Sequence, residues 1–412
     1  RGNWKTIPLT ENTKFILPWA TNSQSPVRLK LTSVPKLNLS DLEKIHSEIV
    51  HTASEALIFL QNLRKISITR NGKKEISFEI IKNDEKNRRS VKKTPDNKIQ
   101  HFFYAHKSDS QQLRQLENDY PEEIASQHRR RSTEIAIPID FEGDYWGRVF
   151  AYLPTQRRYL MPLNINGDFF PKHDRKDIIL DMDGESDPLA EWNSAIIYNA
   201  AVILADNVHS LYETLGYKRF WALIHLVHAV HSDSTGYMPK MPKIFASFWD
   251  RFALSAPSIP IMPLEGRTNH PVTPSEARLL SGEDVKLKRI AAVKLNLNVI
   301  SSELIKHYEV IEHLGVEKLS FEDIIDGLKK TSWAKDKNLP ENELESYISS
   351  RYRPLYTLID DFIPKESPGL INRSLLDEYQ TFYLYLTKQG LLDLPKNLFY
   401  CERESVVEIA EK

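Results

Sequence analysis

The sequence predicts an α+β fold, in which a β-α-β domain precedes a mostly helical C-terminal region. In the first half, short stretches whose hydrophobic residues alternate with a period of two are separated by helical patterns. From about residue 283 onward, hydrophobic residues recur mainly at intervals of three and four, as they do along helices. The 412 residues, of which 41% are hydrophobic, are enough for two or three domains. We divide the chain into segments 1–36, 37–188, 189–265 and 266–412.

The first third of the chain predicts a helix between groups of short strands. Asn71-Gly72 lies between two alternating stretches and favours a hairpin, because both residues tolerate positive φ. Residues 82–98 are polar and basic, so we interpret them as a solvated loop or as a contact for an anion or nucleic acid. The predicted elements are strands within 1–36, a helix at 41–63, and strands at 65–69, 75–81 and 101–106.

Further along, the pattern predicts two strands and then a series of helices. Gly216 interrupts a long helical pattern and is predicted to end a helix, since glycine is common just beyond a helix C-terminus. Ser320, followed by acidic residues, predicts the capped start of another helix. The predicted elements are a helix at 111–130, strands at 133–141 and 148–153, and helices at 189–231, 244–254, 288–295, 302–314, 321–330, 341–362 and 375–389.

The composition excludes several classes of protein. A single cysteine excludes a disulfide-stabilised scaffold and indicates a reducing compartment, so we expect a cytoplasmic protein. No apolar run reaches the roughly 18 residues that a membrane-spanning helix needs, so we expect no membrane partner. The 55 basic and 56 acidic residues leave a net charge of -1, which provides no overall field to attract nucleic acid. Only 14 glycines are present, about half the usual share, and neither common glycine-rich phosphate-binding motif occurs.

Three histidines, His225, His228 and His231, lie three residues apart in the long helical pattern. A metal ion needs ligands that converge on one point, whereas positions three apart drift by about 60° around a helix at each step. We therefore predict that these histidines pack against neighbours or face solvent, and we predict no metal site.

The most informative stretch is 147–199. A strand is followed by a basic loop at 157–158 and by a second extended segment that ends at Asn166-Gly167, with Arg175-Lys176 beyond it. This order places amide and guanidinium groups at one end of a sheet. Such a site suits a phosphate, because arginine offers a planar, permanently charged set of donors. A hairpin with a solvated basic tip explains the same residues equally well.

These residues resemble sacsin and the sacsin-like members of the GHKL ATPase superfamily, which also includes the ninety-kilodalton heat-shock chaperones, gyrase B and MutL. The shared pattern runs G-x-V-F-x-F-L-P, then L-P-x-x-I-N-G-x-F, then R-x-x-I and W-N. Upstream, 13–18 is similar to the closing strand of the ATP-binding domain in that family, and 57–66 to a helix-to-strand element. The resemblance covers most of 13–330. The matching residues are Gly147, Val149, Phe150, Leu153, Pro154, Pro162, Ile165, Asn166, Gly167, Phe169, Arg175, Ile178, Trp192 and Asn193.

The resemblance implies an architecture and a cofactor. In this superfamily, ATP with Mg²⁺ is bound by an N-terminal α/β domain that carries an asparagine-box helix, a D-x-G-x-G loop and a glycine-rich lid, none of which occurs here. Residues 1–36 correspond to the tail strands of that domain, 37–188 to a transducer or middle domain, 189–265 to a helical extension and 266–412 to a mostly helical C-terminal domain. Because the chain does not begin with methionine, we expect the nucleotide site to lie upstream. This segment alone is therefore expected neither to bind nor to hydrolyse ATP.

The resemblance also implies which side chains contact the nucleotide. In the heat-shock chaperones, an arginine in a P-L-N-I-S-R-E loop contacts the γ-phosphate. Residues 162–166 follow this loop, but Gly167 stands in the place of the arginine. Arg175 is the nearest candidate for the γ-phosphate contact, and we assign Asn166 and Lys176 to the cofactor-binding site. The role expected of Arg175 is to neutralise charge that develops on the transferred phosphoryl group.

Three functions from different classes are open at this point. The first is the coupling, or transducer, and partner-binding region of a sacsin-like ATPase. Bacterial relatives in that group occur in antiphage-defence clusters, and eukaryotic ones act as chaperone-like proteins. The second is a non-catalytic protein–protein scaffold, and the third is a nucleic-acid-binding effector that uses basic residues at 82–98, 129–131 and 157–158. The expected partner is a protein or the chain's own ATP-binding domain, and a homodimer is the usual assembly in the superfamily. The sequence predicts no function for 331–412.

Overall fold

The computed structural model of the chain describes about two thirds of the residues. The described residues are 39–60, 62–70, 73–81, 87–124, 131–141, 146–151, 153–159, 161, 163–174, 176–180, 187–232, 242–282, 284–331, 346, 350, 353–360, 362, 377, 381–382, 385–386 and 392–393. They confirm the α+β class, because a mixed sheet in the first part is followed by helices in the second. The strands predicted within 1–36 lie outside the described residues.

Eight strands form one sheet in the order β1-β2-β3-β4-β5-β8-β6-β7. Neighbouring strands are antiparallel except β6 and β8, which run parallel. The antiparallel pairing of β1 with β2 confirms the two strands that were predicted to flank Asn71-Gly72. The strands are β1 Lys65–Arg70, β2 Lys73–Ile81, β3 Arg88–Thr94, β4 Lys98–Lys107, β5 Thr133–Pro138, β6 Gly147–Ala151, β7 Leu153–Tyr159 and β8 Asn164–Gly167.

Helices cover both faces of this sheet. Helix α1 (Leu39–Phe59) packs on one face, and α2 (Gln111–Asp119) and α3 (Pro188–Asp206) pack on the other. Along β4, Phe102 and Tyr104 belong to the α1 side, whereas Phe103 and Ala105 belong to the core on the α3 side. Successive side chains of a strand point to opposite faces, so a strand buried on both sides reads as a continuous apolar run.

Two basic stretches that were predicted to be loops are strands. Residues 88–94, within the predicted loop 82–98, form β3, and residues 157–158 lie inside β7. In β3 only Ser90 and Val91 are buried, so the sequence is too polar to show a strand pattern. Hydrogen bonds to β2 on one side and β4 on the other hold it in the sheet.

Helix α4 (Val208–Ser232) follows α3, and its buried side chains belong to the same core as those of α3. It is kinked at Gly216, whose φ of 71° lies in the left-handed region, which confirms the predicted break. Helix α5 (Ser247–Ser255) lies between two short 3-10 turns and packs on α3 and α4. None of the helices in the described part of the chain is long and apolar enough to cross a membrane.

The C-terminal part has a second, smaller core built mainly from α6, α8 and α9. Ser320 caps α8 and exchanges hydrogen bonds with Asp323, as the sequence predicts.

The predicted helix 375–389 is wrong at 385–386, where β13 pairs with β14. The elements are β9 Met262–Leu264, β10 Arg267–Val272, β11 Arg278–Leu279, α6 Val285–Lys294, a 3-10 helix Ser302–His307, α7 Tyr308–Glu312, β12 Glu317–Lys318, α8 Phe321–Lys330, α9 Arg353–Asp360, β13 Tyr385–Leu386 and β14 Leu392–Asp393.

Candidate functional site

Two glycines of the informative stretch are required by close packing. A Cβ on Gly147 would lie 2.5 Å from the backbone oxygen of Met161 and closer still to that of Leu163. A Cβ on Gly167 would lie 2.6 Å from the side chain of Ile196 on α3. Neither position has room for a side chain, so Gly147 lets β6 approach the backbone just before β8, and Gly167 lets the end of β8 approach Ile196 on α3.

The segment after β8 is held by α3 and forms what we call the clamped loop, residues 168–179. The Trp192 indole donates to the backbone oxygen of Asp168 over 3.0 Å. The Asn193 side chain accepts from the backbone N–H of Phe170 and donates to the backbone oxygens of Phe170 and Ile179, each over 2.8 Å. Because Phe170 and Ile179 lie at opposite ends of the loop, one buried asparagine joins the two ends.

Strand β7 holds the far side of the clamped loop. The backbone oxygen of Lys176 accepts from the N–H groups of Gln156 and Arg157, each over 3.0 Å. The Arg157 guanidinium pairs with Asp177 at 2.6 Å, and the Tyr159 hydroxyl donates to the same carboxylate over 3.1 Å. Burial, followed by the charge of Asp177, raises the pKa of Tyr159, so its hydroxyl stays a donor.

The cationic end of the clamped loop faces solvent. The Lys176 side chain is 65% exposed, and its ammonium lies 3.9 Å from the Asp174 carboxylate. An exposed pair at that distance contributes little stability, so the ammonium is available to another anion. Arg175, the predicted γ-phosphate contact, lies outside the described residues.

Asn166 lies elsewhere, in a buried polar cluster on the α1 face of the sheet. Its amide donates to Glu134 over 2.6 Å, and the Tyr104 hydroxyl donates to the other oxygen of Glu134 over 2.6 Å. The Arg89 guanidinium lies 3.4 Å above the Tyr104 ring. Burial, and then Glu134, raises the pKa of Tyr104, which keeps it a donor. The cluster therefore fixes β8 to β5 around one buried carboxylate.

The structure does not bring Asn166 and Lys176 together. Strands β6 and β7 lie between β8 and the segment that contains Lys176. At about 4.8 Å per strand, this places the two backbones on the order of 14 Å apart. A phosphate beside Asn166 would also meet the Glu134 carboxylate, which repels it. The assignment of Asn166 to a cofactor site stays a prediction, and its observed contact is structural.

Sequence reasoning missed Glu134 and Tyr104. A signal was present, because Glu134 is the single charged residue in a strand whose six residues are all buried. Buried charges are almost always paired, so such a residue predicts a network. Its partners could not be named, since Tyr104 and Asn166 lie 30 and 32 residues away on other strands.

Several basic residues of the nucleic-acid hypothesis are engaged by carboxylates. Arg157 pairs with Asp177, and Lys93 lies 2.9 Å from Asp96. Arg131 lies 2.9 Å from Glu117 and also contacts Asp109. Residues 129 and 130 lie outside the described residues. Cations that are already paired attract phosphates less strongly, so these three side chains are weaker candidates for a nucleic-acid contact.

The described residues contain no cluster of metal ligands. Among them, no group of three or more His, Cys, Asp or Glu side chains could hold a metal ion. Each of the three α4 histidines has a different polar neighbour, although His228 and His231 both contact Trp249: His225 meets His307, His228 meets His313, and His231 lies 3.2 Å from Asp250.

No family model, curated protein or solved structure matches this chain. The sacsin-like resemblance therefore rests on the residues quoted for it. The structure gives several of these a packing or hydrogen-bonding role: Gly167, Trp192 and Asn193 hold the clamped loop against α3, and Gly147 packs against the backbone before β8.

Proposed function

We propose that the chain is the coupling and partner-binding region of a sacsin-like, chaperone-related ATPase. In this proposal, the clamped loop is the coupling element. It presents Arg175 and Lys176 to the phosphates of an ATP molecule held with Mg²⁺ by a separate ATP-binding domain. The observation that carries the proposal is the clamp itself: Asn193 binds both ends of the loop from α3.

A fixed loop suits this task for a physical reason. A cation stabilises charge on a phosphoryl group most effectively when it is positioned before the reaction, so that little reorganisation is needed. Asn193 and the backbone bonds from β7 to Lys176 hold the loop from two sides, while the ammonium projects into solvent. The buried Glu134–Asn166 contact anchors the strand that leads into the loop.

The same loop would also suit a non-catalytic scaffold. The domain content and ATPase activity of the full-length gene product distinguish the scaffold from the coupling region. Our proposal requires an ATP-binding domain with an asparagine box and a D-x-G-x-G loop in the full-length protein. A full-length protein that lacks these motifs and has no ATPase activity would leave the scaffold as the better account. Whether the output is antiphage defence or chaperone-like work depends on the partner that the region binds.

The test is the ATP turnover of the full-length gene product carrying Arg175→Ala or Lys176→Ala. We expect Arg175→Ala to lower turnover by at least about tenfold, because arginines that contact a transferred phosphoryl group contribute large factors. Lys286→Ala is the matched control, since Lys286 is an exposed lysine on α6 and should leave turnover unchanged. Unchanged turnover in a folded Arg175→Ala protein would overturn the proposal.

The nucleic-acid alternative has its own measurement. Filter binding of DNA and RNA at two salt concentrations reports the number of phosphates neutralised, with a slope of about -0.9 per phosphate for duplex DNA. We expect weak binding with a shallow slope, because the Arg157 and Arg131 guanidinium groups are paired. Tight binding with a steep slope would favour the effector.

A further inference from the structure

Histidines line the contact between α4 and the segment 302–314, which contains a 3-10 helix and α7. The centroids of the His225 and His307 rings are 5.3 Å apart, and those of His228 and His313 are 4.7 Å apart. Apolar side chains of the segment, including Leu304, join the main core beside them. We call the five rings the histidine seam: His225, His228, His231, His307 and His313.

One end of the seam consists of the buried His307 and the half-buried His225. His307 is 4% exposed, and the Nδ1 atoms of His307 and His225 have no partner among the described residues. Protonating such a ring places a charge in a poorly solvated site. Burial, followed by the charges of His225 and Lys306, lowers the pKa of His307 to about 4.

The other end of the seam is packed on aromatic rings. His228 is buried and lies 4.6 Å from Trp249 of α5, and burial followed by His313 lowers its pKa. Glu309 of α7 opposes this effect, whereas His231 and His225 add to it. Other charged groups at this contact are already engaged: Asp250 of α5 lies 3.2 Å from His231, and Lys218 of α4 lies 3.0 Å from Glu303, which also accepts from the Tyr217 hydroxyl.

We propose that the histidine seam makes the docking of segment 302–314 on α4 sensitive to acid, so that protonation opens the segment while the sheet stays folded. Opening would expose Leu304, Val310 and Ile311, which are buried in the closed form. A histidine whose folded-state pKa is lowered stabilises the fold above its ordinary pKa. The docking is therefore strongest above about pH 6.5 and weakens as the pH falls toward about 4.

Hydrogen exchange of the full chain at about pH 7.5 and about pH 5.5 measures this opening, after correction for the intrinsic exchange rate. His307 alone should raise the opening equilibrium constant of peptides within 302–314 by about tenfold at the lower pH. Peptides from β4 and β5 should keep their protection. Equal protection of 302–314 at the two pH values would overturn the proposal, as would loss of protection throughout the chain.

Two histidine variants test whether the acid-induced opening depends on the histidine seam. His307→Gln removes one titrating ring, so the acid response should fall to about one third of that of the unmodified chain or less. His209→Gln is the matched control, because His209 lies on the same helix with its side chain 58% exposed, and it should keep the full response. A full response in His307→Gln would contradict the proposal. If His307→Gln does not fold, the protonation state of His307 can be followed by NMR in the unmodified chain. A His307 ring that becomes protonated while segment 302–314 stays docked would also contradict the proposal.

Discussion

The clamped loop and segment 302–314 are both held on the long helices α3 and α4, but by opposite kinds of contact. Asn193 satisfies three backbone groups of the loop, and Asp177 is bonded by both Arg157 and Tyr159. The histidine seam instead leaves two ring nitrogens without hydrogen-bond partners among the described residues. The first arrangement satisfies the polar groups that hold the loop, and in our proposal the second ties docking to protonation.

The difference between the clamped loop and the histidine seam shows that buried polar groups can either fix one geometry or make a contact depend on protonation. A buried network in which each donor meets an acceptor is costly to break and therefore specifies one geometry. A buried neutral imidazole without partners packs well only while it stays neutral. A region that couples ATP state to partner binding needs both properties, a fixed contact element and an element that can move.

The largest effect is expected for Asn193→Ala, which breaks the clamp. It removes three hydrogen bonds to the backbone of the loop, so we expect the free energy of unfolding to fall by about 3 kcal/mol. Ser194→Ala, at the partly exposed neighbouring position, should change it by less than about 0.5 kcal/mol. Urea denaturation measures both, and equal values would show that the Asn193 contacts do not hold the loop.

A smaller loss in the free energy of unfolding is expected when the buried cluster around Glu134 loses one hydrogen bond. Tyr104→Phe removes a hydrogen bond to the Glu134 carboxylate, which should cost about 2 kcal/mol, since bonds to charged groups are the stronger ones. Tyr212→Phe is the matched change on α4, where the buried hydroxyl has no partner among the described residues. It should be neutral within about 0.5 kcal/mol. A Tyr212→Phe loss as large as that of Tyr104→Phe would show that the bond to Glu134 gives the Tyr104 hydroxyl no special weight.

Local signals in the sequence were sufficient for much of the fold. Asn71-Gly72 predicted the β1–β2 pairing, and Ser320 predicted the start of α8. Gly216 predicted the kink in α4, because a positive φ there requires glycine. These features depend on neighbours within a few residues, and such neighbours are visible in the chain.

The site was less predictable because its contacts are distant in sequence. The resemblance included Trp192 and Asn193, but nothing local showed that Asn193 bridges Phe170 and Ile179. Strand β3 was missed because only two of its seven residues are buried. His307 lies about eighty residues from the α4 histidines that it meets, so the seam follows only from the tertiary packing.

In the proposed function, the clamp on the loop serves coupling to ATP, and one measurement tests this role directly. The ATP turnover of the full-length gene product carrying Asn193→Ala should be compared with Ser194→Ala at a temperature where both are folded. Our account predicts that Asn193→Ala lowers turnover by about tenfold or more, because a loosened loop no longer holds its cations in place. Full turnover in a folded Asn193→Ala protein would contradict it.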